Sequence, residues 1–128
     1  ARFEEIIGYI ARYLGSLSPF AVEVQGIENF KNIVWLKVKS SPRLQEIHTW
    51  LVDSLARKYG IGTHAFDSDF MYHISLFTDD DPAKAAAAYT ALSSEPVPPS
   101  LAAERFVIGV SESGRAGEYR VAREIALN

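Results

Sequence analysis

Apolar residues along this chain recur with helical spacing in two long stretches. Between Phe3 and Leu14 they return every three or four residues, which predicts a helix that ends before Pro19. The same spacing runs from Leu44 to Leu55 and predicts a second helix that ends near Gly60. The residues suited to begin that second helix are Ser40 or Ser41 as its N-cap, followed by Pro42 in its first turn.

Shorter stretches alternate apolar and polar residues, which is the period of a strand with one buried face. They are PFAVEVQGI, NIVWLKVK and FMYHISLF, and the turn ENFKN joins the first two into a predicted hairpin. DDPAKAAAAYTAL predicts a third helix with an aspartate cap before Pro82. LAAERFVIGVSESGRAGEYRVAREIAL predicts two strands around a glycine-containing turn. Helices and strands in this order predict an α+β fold with an antiparallel or mixed sheet.

Composition narrows the class of protein. A chain of 128 residues, 48% hydrophobic and 23% charged, predicts one globular domain spanning residues 1–128. The absence of cysteine excludes disulfides and thiolate metal sites. No apolar run approaches the roughly 20 residues of a membrane span, and acidic residues near the start do not fit a signal peptide, so we expect a cytoplasmic protein without a membrane partner. A net charge of -3 argues against a long nucleic-acid track held by broad positive potential and leaves a small phosphorylated ligand or an RNA end open as a partner.

The chemically most informative segment is DFMYHISLFTDD, which contains His73 and Ser75. Two residues apart on a strand point to the same side, so the imidazole and the hydroxyl can act together. An imidazole gives or takes a proton near neutral pH, and a hydroxyl can hydrogen-bond a phosphate oxygen. The alternative is a partly buried histidine that simply hydrogen-bonds its neighbouring serine. The alternation puts two sets of residues on opposite faces: Phe70, Tyr72, Ile74 and Leu76 on the better core face, and Met71, His73, Ser75 and Phe77 on the other.

The run from IVWLKV through SPRLQEIHTWLVDSLARKYGI to FMYHISLF resembles the two-histidine phosphoesterases, in the branch of bacterial 2′,5′ RNA ligase-like proteins and cyclic phosphodiesterases. The resemblance implies their bilobal α+β fold, with the N-terminal lobe incomplete in this chain. It also implies a metal-independent phosphoesterase without a cofactor, acting on a cyclic phosphodiester or a 2′,5′ linkage of RNA or a small nucleotide. One histidine would act as general base and a second as general acid, with Ser75 fixing the phosphate.

The family carries two H-x-T/S motifs, and this chain shows one, at His73. His48 lies on the predicted second helix, where a helix-edge role is expected, and His64 lacks a hydroxyl two residues on. Tyr72 stands where many family members have proline. We expect the first motif upstream of Ala1, and enzymatic activity depends on it. The other hypotheses are a noncatalytic RNA- or nucleotide-binding module on the same fold and an unrelated α+β domain with a structural histidine.

Strand parity extends the expected groove onto NIVWLKVK. Val34, Leu36 and Val38 belong to the core, so Trp35 and Lys37 share the opposite face. We expect Trp35 to stack on a base, Lys37 to neutralise phosphate charge, and Phe77 to contact the substrate. The alternative for Trp35 is a side chain packed within an ordinary half-exposed sheet face.

Overall fold

The computed structural model describes residues 2–62, 70–113 and 118–128. Three helices and six strands form in this part of the chain and confirm the predicted α+β class. The helices are α1 (Arg2–Gly15), α2 (Pro42–Tyr59) and α3 (Pro82–Leu92). The strands are β1 (Phe20–Phe30), β2 (Ile33–Val38), β3 (His73–Thr78), β4 (Ser100–Ala103), β5 (Arg105–Val110) and β6 (Arg120–Ala126).

The chain divides into two compact units. Unit 1 comprises Ala1–Ala21 and Ala102–Asn128, and unit 2 comprises Val22–Leu101. The single domain expected for residues 1–128 stays a prediction.

Unit 2 contains a four-stranded sheet in the order β3-β2-β1-β4. Strand β2 pairs antiparallel with both β1 and β3. The predicted turn ENFKN is too long, because β1 continues to Phe30, which pairs with Ile33. Only Lys31 and Asn32 connect the two strands, and Lys31 adopts a φ of 56°, in the left-handed region. The β1–β2 connection is therefore a tight hairpin.

The core of unit 2 forms on the predicted face of β2, where Val34, Leu36 and Val38 are buried. Ala85 of α3 is fully buried as well, and α3 packs against β2 and β3. The N-cap of α2 is Ser41, whose hydroxyl oxygen accepts a hydrogen bond from the Leu44 amide at 3.2 Å. The opposite face of the sheet carries Trp35 and Lys37 of β2 beside Ser75 and His73 of β3.

Unit 1 combines α1 with the antiparallel hairpin of β5 and β6. Its buried apolar side chains include Ile7 and Leu14 of α1 and Ile125 of β6. The prediction of two C-terminal strands was wrong, because the chain forms three and β4 joins the other sheet. Among the helices described, none is long and apolar enough to cross a membrane.

Candidate functional site

The register between β2 and β3 brings four predicted site residues onto one face of unit 2. Lys37 pairs with His73, and Trp35 pairs with Ser75. Directly paired residues on antiparallel strands have Cβ atoms about 5 Å apart, so each pair forms a neighbouring couple. The imidazole, the hydroxyl, the indole and the ammonium group therefore share one surface patch.

The imidazole of His73 is oriented by the backbone just before its strand. Its Nδ1 atom lies 3.0 Å from the carbonyl oxygen of Met71. Because a carbonyl only accepts hydrogen bonds, Nδ1 carries the proton in this contact. The other nitrogen, Nε2, then holds the lone pair of the neutral ring, and His73 itself is exposed. This arrangement suits a histidine that exchanges a proton with a bound ligand through Nε2.

Trp35 packs against that imidazole and is itself buried. Its ring centroid lies 4.2 Å from that of His73, and its other neighbour, Phe30, is stacked at 5.2 Å with an interplanar angle of 5°. Only 7% of Trp35 is exposed, which agrees with the alternative of a side chain packed within the sheet face. Little of its ring surface is left for a base to stack on. The contact between the indole and the imidazole gives Trp35 a different candidate role, which is to hold the ring of His73 in place.

Ser75 and Lys37 are exposed on either side of this contact. Neither side chain forms a hydrogen bond or an ion pair within the described part of the chain. The hydroxyl and the ammonium group thus remain available as donors to an anionic ligand.

The expected position of Phe77 was wrong. Val34 pairs with Phe77 and Trp35 with Ser75, so Leu76 is an extra residue on β3. A bulge of this kind shifts the alternation of side chains by one position. Phe77 therefore lies on the face of the buried Val34 rather than beside His73, and its contact with a substrate stays a prediction.

The second histidine among the described residues, His48, lies on α2 in an aromatic cluster. His48 of α2 stacks on Phe70 at 4.8 Å and meets the edge of Tyr72 at 6.4 Å. Burial raises the pKa of the Tyr72 hydroxyl above its ordinary value. His48 thus belongs to an aromatic cluster, and His64 lies outside the described residues.

Strand β1 adds residues that the sequence reasoning missed. Glu28 pairs with Trp35 and Gly26 with Lys37, so the same face continues onto β1 and includes Phe30. The sequence pattern predicts Glu28 and Phe30 in the ENFKN turn and indicates no site role for Gly26. Their spacing of two residues continues that of Val22 and Val24, but the register shift between Val24 and Gly26 moves them to the opposite face, so only strand pairing places them beside Trp35.

Clusters of three or more histidine, cysteine, aspartate or glutamate side chains able to hold a metal are not found among the residues that the structure describes.

Comparison with known proteins identifies the superfamily of this chain. A sequence profile described as the 2'-5' RNA ligase superfamily matches residues 1–115. The chain belongs to this superfamily. The match confirms the resemblance to the two-histidine phosphoesterases that the HIS motif and its neighbouring elements indicated.

Two solved structures share the fold. TT0787 of Thermus thermophilus is 21% identical with a TM-score of 0.62, and the match covers 96% of this chain and 69% of that chain. LigT of Escherichia coli, crystallised in apo form, is 22% identical with a TM-score of 0.57, covering 100% of this chain and 69% of that chain. Among curated proteins, none matches the chain.

Proposed function

We propose that this superfamily member is a metal-independent phosphoesterase that acts on a cyclic phosphodiester or a 2′,5′ linkage of RNA or a small nucleotide. Membership of the superfamily supports RNA or nucleotide substrates as a class. The observation that carries the proposal is the hydrogen bond from His73 Nδ1 to the Met71 carbonyl, which leaves Nε2 for proton transfer. The residues around that nitrogen suggest the role of each group in the reaction.

In the hydrolytic direction, neutral His73 accepts a proton at Nε2 from the attacking water or ribose hydroxyl. In the opposite direction the protonated ring donates the same proton to the leaving oxygen, as microscopic reversibility requires. The positive charge of the protonated ring is stabilised by the Met71 carbonyl oxygen and by the adjoining face of the Trp35 indole. His73 therefore acts as the base in one direction of the reaction and as the acid in the other.

Ser75 and Lys37 act on the phosphate rather than on the proton. The Ser75 hydroxyl donates a hydrogen bond to a non-bridging oxygen, and the Lys37 ammonium offsets negative charge that develops during attack. Both residues flank His73 on the sheet, because Lys37 is its partner across β2 and Ser75 is two positions along β3. A second proton-transfer group completes the mechanism, and in the resembled family this is the histidine of a second motif.

The test measures hydrolysis of a 2′,3′-cyclic nucleotide and of a 2′,5′-linked dinucleotide by the protein at its full natural length. We expect His73→Ala to lower kcat by about 100- to 10,000-fold, the usual contribution of a general acid or base. The matched control is His48→Ala, which also removes a histidine but affects the Phe70 and Tyr72 cluster.

Equal rates for the wild type and His73→Ala would contradict the catalytic assignment. Binding of nucleotide without turnover in the wild type would instead support the noncatalytic binding module. Retained folding of each variant is checked by circular dichroism and thermal unfolding before the rates are compared.

A further inference from the structure

The face that carries His73 has two halves with different chemistry. Over β2 and β3 it presents Lys37, His73 and Ser75, which are donors suited to an anion. Over β1 it presents the exposed aromatic ring of Phe30 and the carboxylate of Glu28. A carboxylate and an aromatic ring do not bind phosphate, so the β1 half requires a different part of a ligand.

We infer that this β1 half binds the nucleoside of the substrate, with the base stacked on Phe30 and nucleoside hydrogen-bond donors directed to Glu28. The inference rests on the proposed function and extends it, because it assigns an orientation: nucleoside over β1 and phosphate over β2 and β3.

Phe30 is placed and held as a stacking surface. It is 40% exposed, whereas Trp35 behind it is 7% exposed, so Phe30 is the accessible ring of this aromatic pair. The near-parallel stack on Trp35 supports one side of the Phe30 ring. A supported ring loses little conformational entropy when a base stacks on it, and every base has a π-face to offer.

Lys31 narrows the kind of ligand that suits this ring. Its ammonium nitrogen lies over the Phe30 ring, 5.3 Å from the centroid, so a ligand that stacks on this ring has to share it with the ammonium group or displace that group. An apolar protein segment docked on Phe30 would have to bury that ammonium group, which is unfavourable without a partner charge. A nucleobase offers ring nitrogens and carbonyl oxygens as hydrogen-bond acceptors, so it can stack near Phe30 while accepting a hydrogen bond from this ammonium group.

Glu28 sets the polarity of the β1 half. It is half-buried on the face of Trp35, and it forms no hydrogen bond or ion pair with the described residues. A carboxylate only accepts hydrogen bonds and repels phosphate. Ribose hydroxyls and base amino groups are donors, so the neutral nucleoside fits here and the phosphate fits beyond Trp35.

The experiment compares two probes that differ only by the base. Dissociation constants of adenosine 5′-monophosphate and ribose 5-phosphate are measured by calorimetry on the full-length protein. We expect the nucleotide to bind about tenfold more tightly or better, and Phe30→Ala to abolish that difference. The matched control is Phe3→Ala on α1, an equally exposed phenylalanine at 42%, which should leave both constants unchanged.

The Glu28 arm uses Glu28→Ala with Glu23→Ala as its control on the same strand, where Glu23 pairs with Lys39 at 3.6 Å. We expect Glu28→Ala to weaken binding of adenosine 5′-monophosphate severalfold and not to weaken binding of inorganic phosphate. Tighter nucleotide binding in Glu28→Ala would mean that the carboxylate faces the phosphate, and would overturn the orientation.

The two proposals fail in different ways. Hydrolysis that depends on His73, together with equal binding of the two probes, overturns the nucleoside site and leaves the phosphoesterase in place. Binding of adenosine 5′-monophosphate that depends on Phe30, without hydrolysis, supports the nucleoside site and contradicts the enzyme. Absence of nucleotide binding at millimolar concentration overturns the nucleoside site.

Discussion

Strand β2 of unit 2 and the β5–β6 hairpin of unit 1 differ in how much packing stabilises them. Strand β2 has hydrogen-bonded neighbours on both edges. It is buried on both faces, because Val34, Leu36 and Val38 are buried on one side and Trp35 is buried on the other. The hairpin is a two-stranded sheet in which Ile125 is the buried side chain among its described residues, while Val107 and Val121 are exposed.

Polar contacts on the hairpin do not compensate for its smaller number of buried side chains. Arg105 lies 3.9 Å from Glu124, and Arg120 lies 2.8 Å from Glu112, with all four side chains largely exposed. Exposed ion pairs contribute little to stability because water and salt screen them. The comparison teaches that the candidate site is built where packing holds a strand from both faces, which fixes His73 and its neighbours before a ligand arrives.

The strongest challenge to this comparison is a matched pair of valine substitutions. Val34 is 0% exposed and Val107 is 49% exposed. We expect Val34→Ala to lower the free energy of unfolding by about 2 to 3 kcal/mol, because it removes buried methyl groups and leaves a cavity. Val107→Ala should change it by no more than about 0.5 kcal/mol. Urea denaturation measures both, and equal losses would break the comparison.

The next prediction concerns what the packing does for the site. Trp35→Phe shortens the ring that contacts His73 and leaves the β-strand otherwise intact. We expect kcat for the cyclic nucleotide to fall by about tenfold with little change in KM, because a displaced imidazole transfers its proton less efficiently. A change in KM alone would assign Trp35 to substrate binding instead of to positioning.

The hairpin tip next to the site offers a prediction in the stabilising direction. Lys31 adopts a φ of 56°, which costs a residue with a Cβ atom about 1 kcal/mol. Lys31→Gly should therefore raise the free energy of unfolding by about 0.5 to 1 kcal/mol, since glycine accepts this conformation without strain. Thermal unfolding tests the change, and destabilisation would show that the lysine side chain contributes more to the tip than its backbone costs.

The ion pairs of unit 1 give a smaller effect. Arg120→Gln removes the 2.8 Å contact with Glu112. We expect a loss of no more than about 0.5 to 1 kcal/mol at low salt, decreasing as ionic strength rises. A loss as large as that of Val34→Ala, or one independent of salt, would show that this hairpin depends on its charges.

The smallest expected effect is on the stability of unit 2 at alkaline pH, and it involves Tyr72. Burial raises the pKa of Tyr72, so the folded state retains the phenolic proton more strongly than the unfolded chain. The resulting stability is fully present below the unfolded pKa of about 10 and is lost as pH rises through the folded pKa. Tyr72→Phe should flatten the decline in unfolding free energy as the pH rises above about 10, and an unchanged decline would contradict the assignment.

Local sequence signals predicted much of the fold because each acts over a few residues. The helix that Pro42 begins and Gly60 ends has the predicted cap and stop. The buried face of β2 was also correct, because alternation follows from strand geometry alone. The ENFKN turn was misjudged, since pairing of Phe30 with Ile33 extends a strand through residues of weak strand propensity.

The sequence by itself determined the superfamily, the α+β class, and the placement of His73 and Ser75 on a common side of one strand. Only the tertiary structure decided which neighbours complete that surface. The bulge at Leu76 moved Phe77 to the other face, and strand pairing brought Lys37 and Trp35 beside the motif. It also brought in Glu28 and Phe30 of β1. The physical reason is that periodicity fixes the side of a strand on which a residue lies, whereas register between strands is set by long-range pairing and packing.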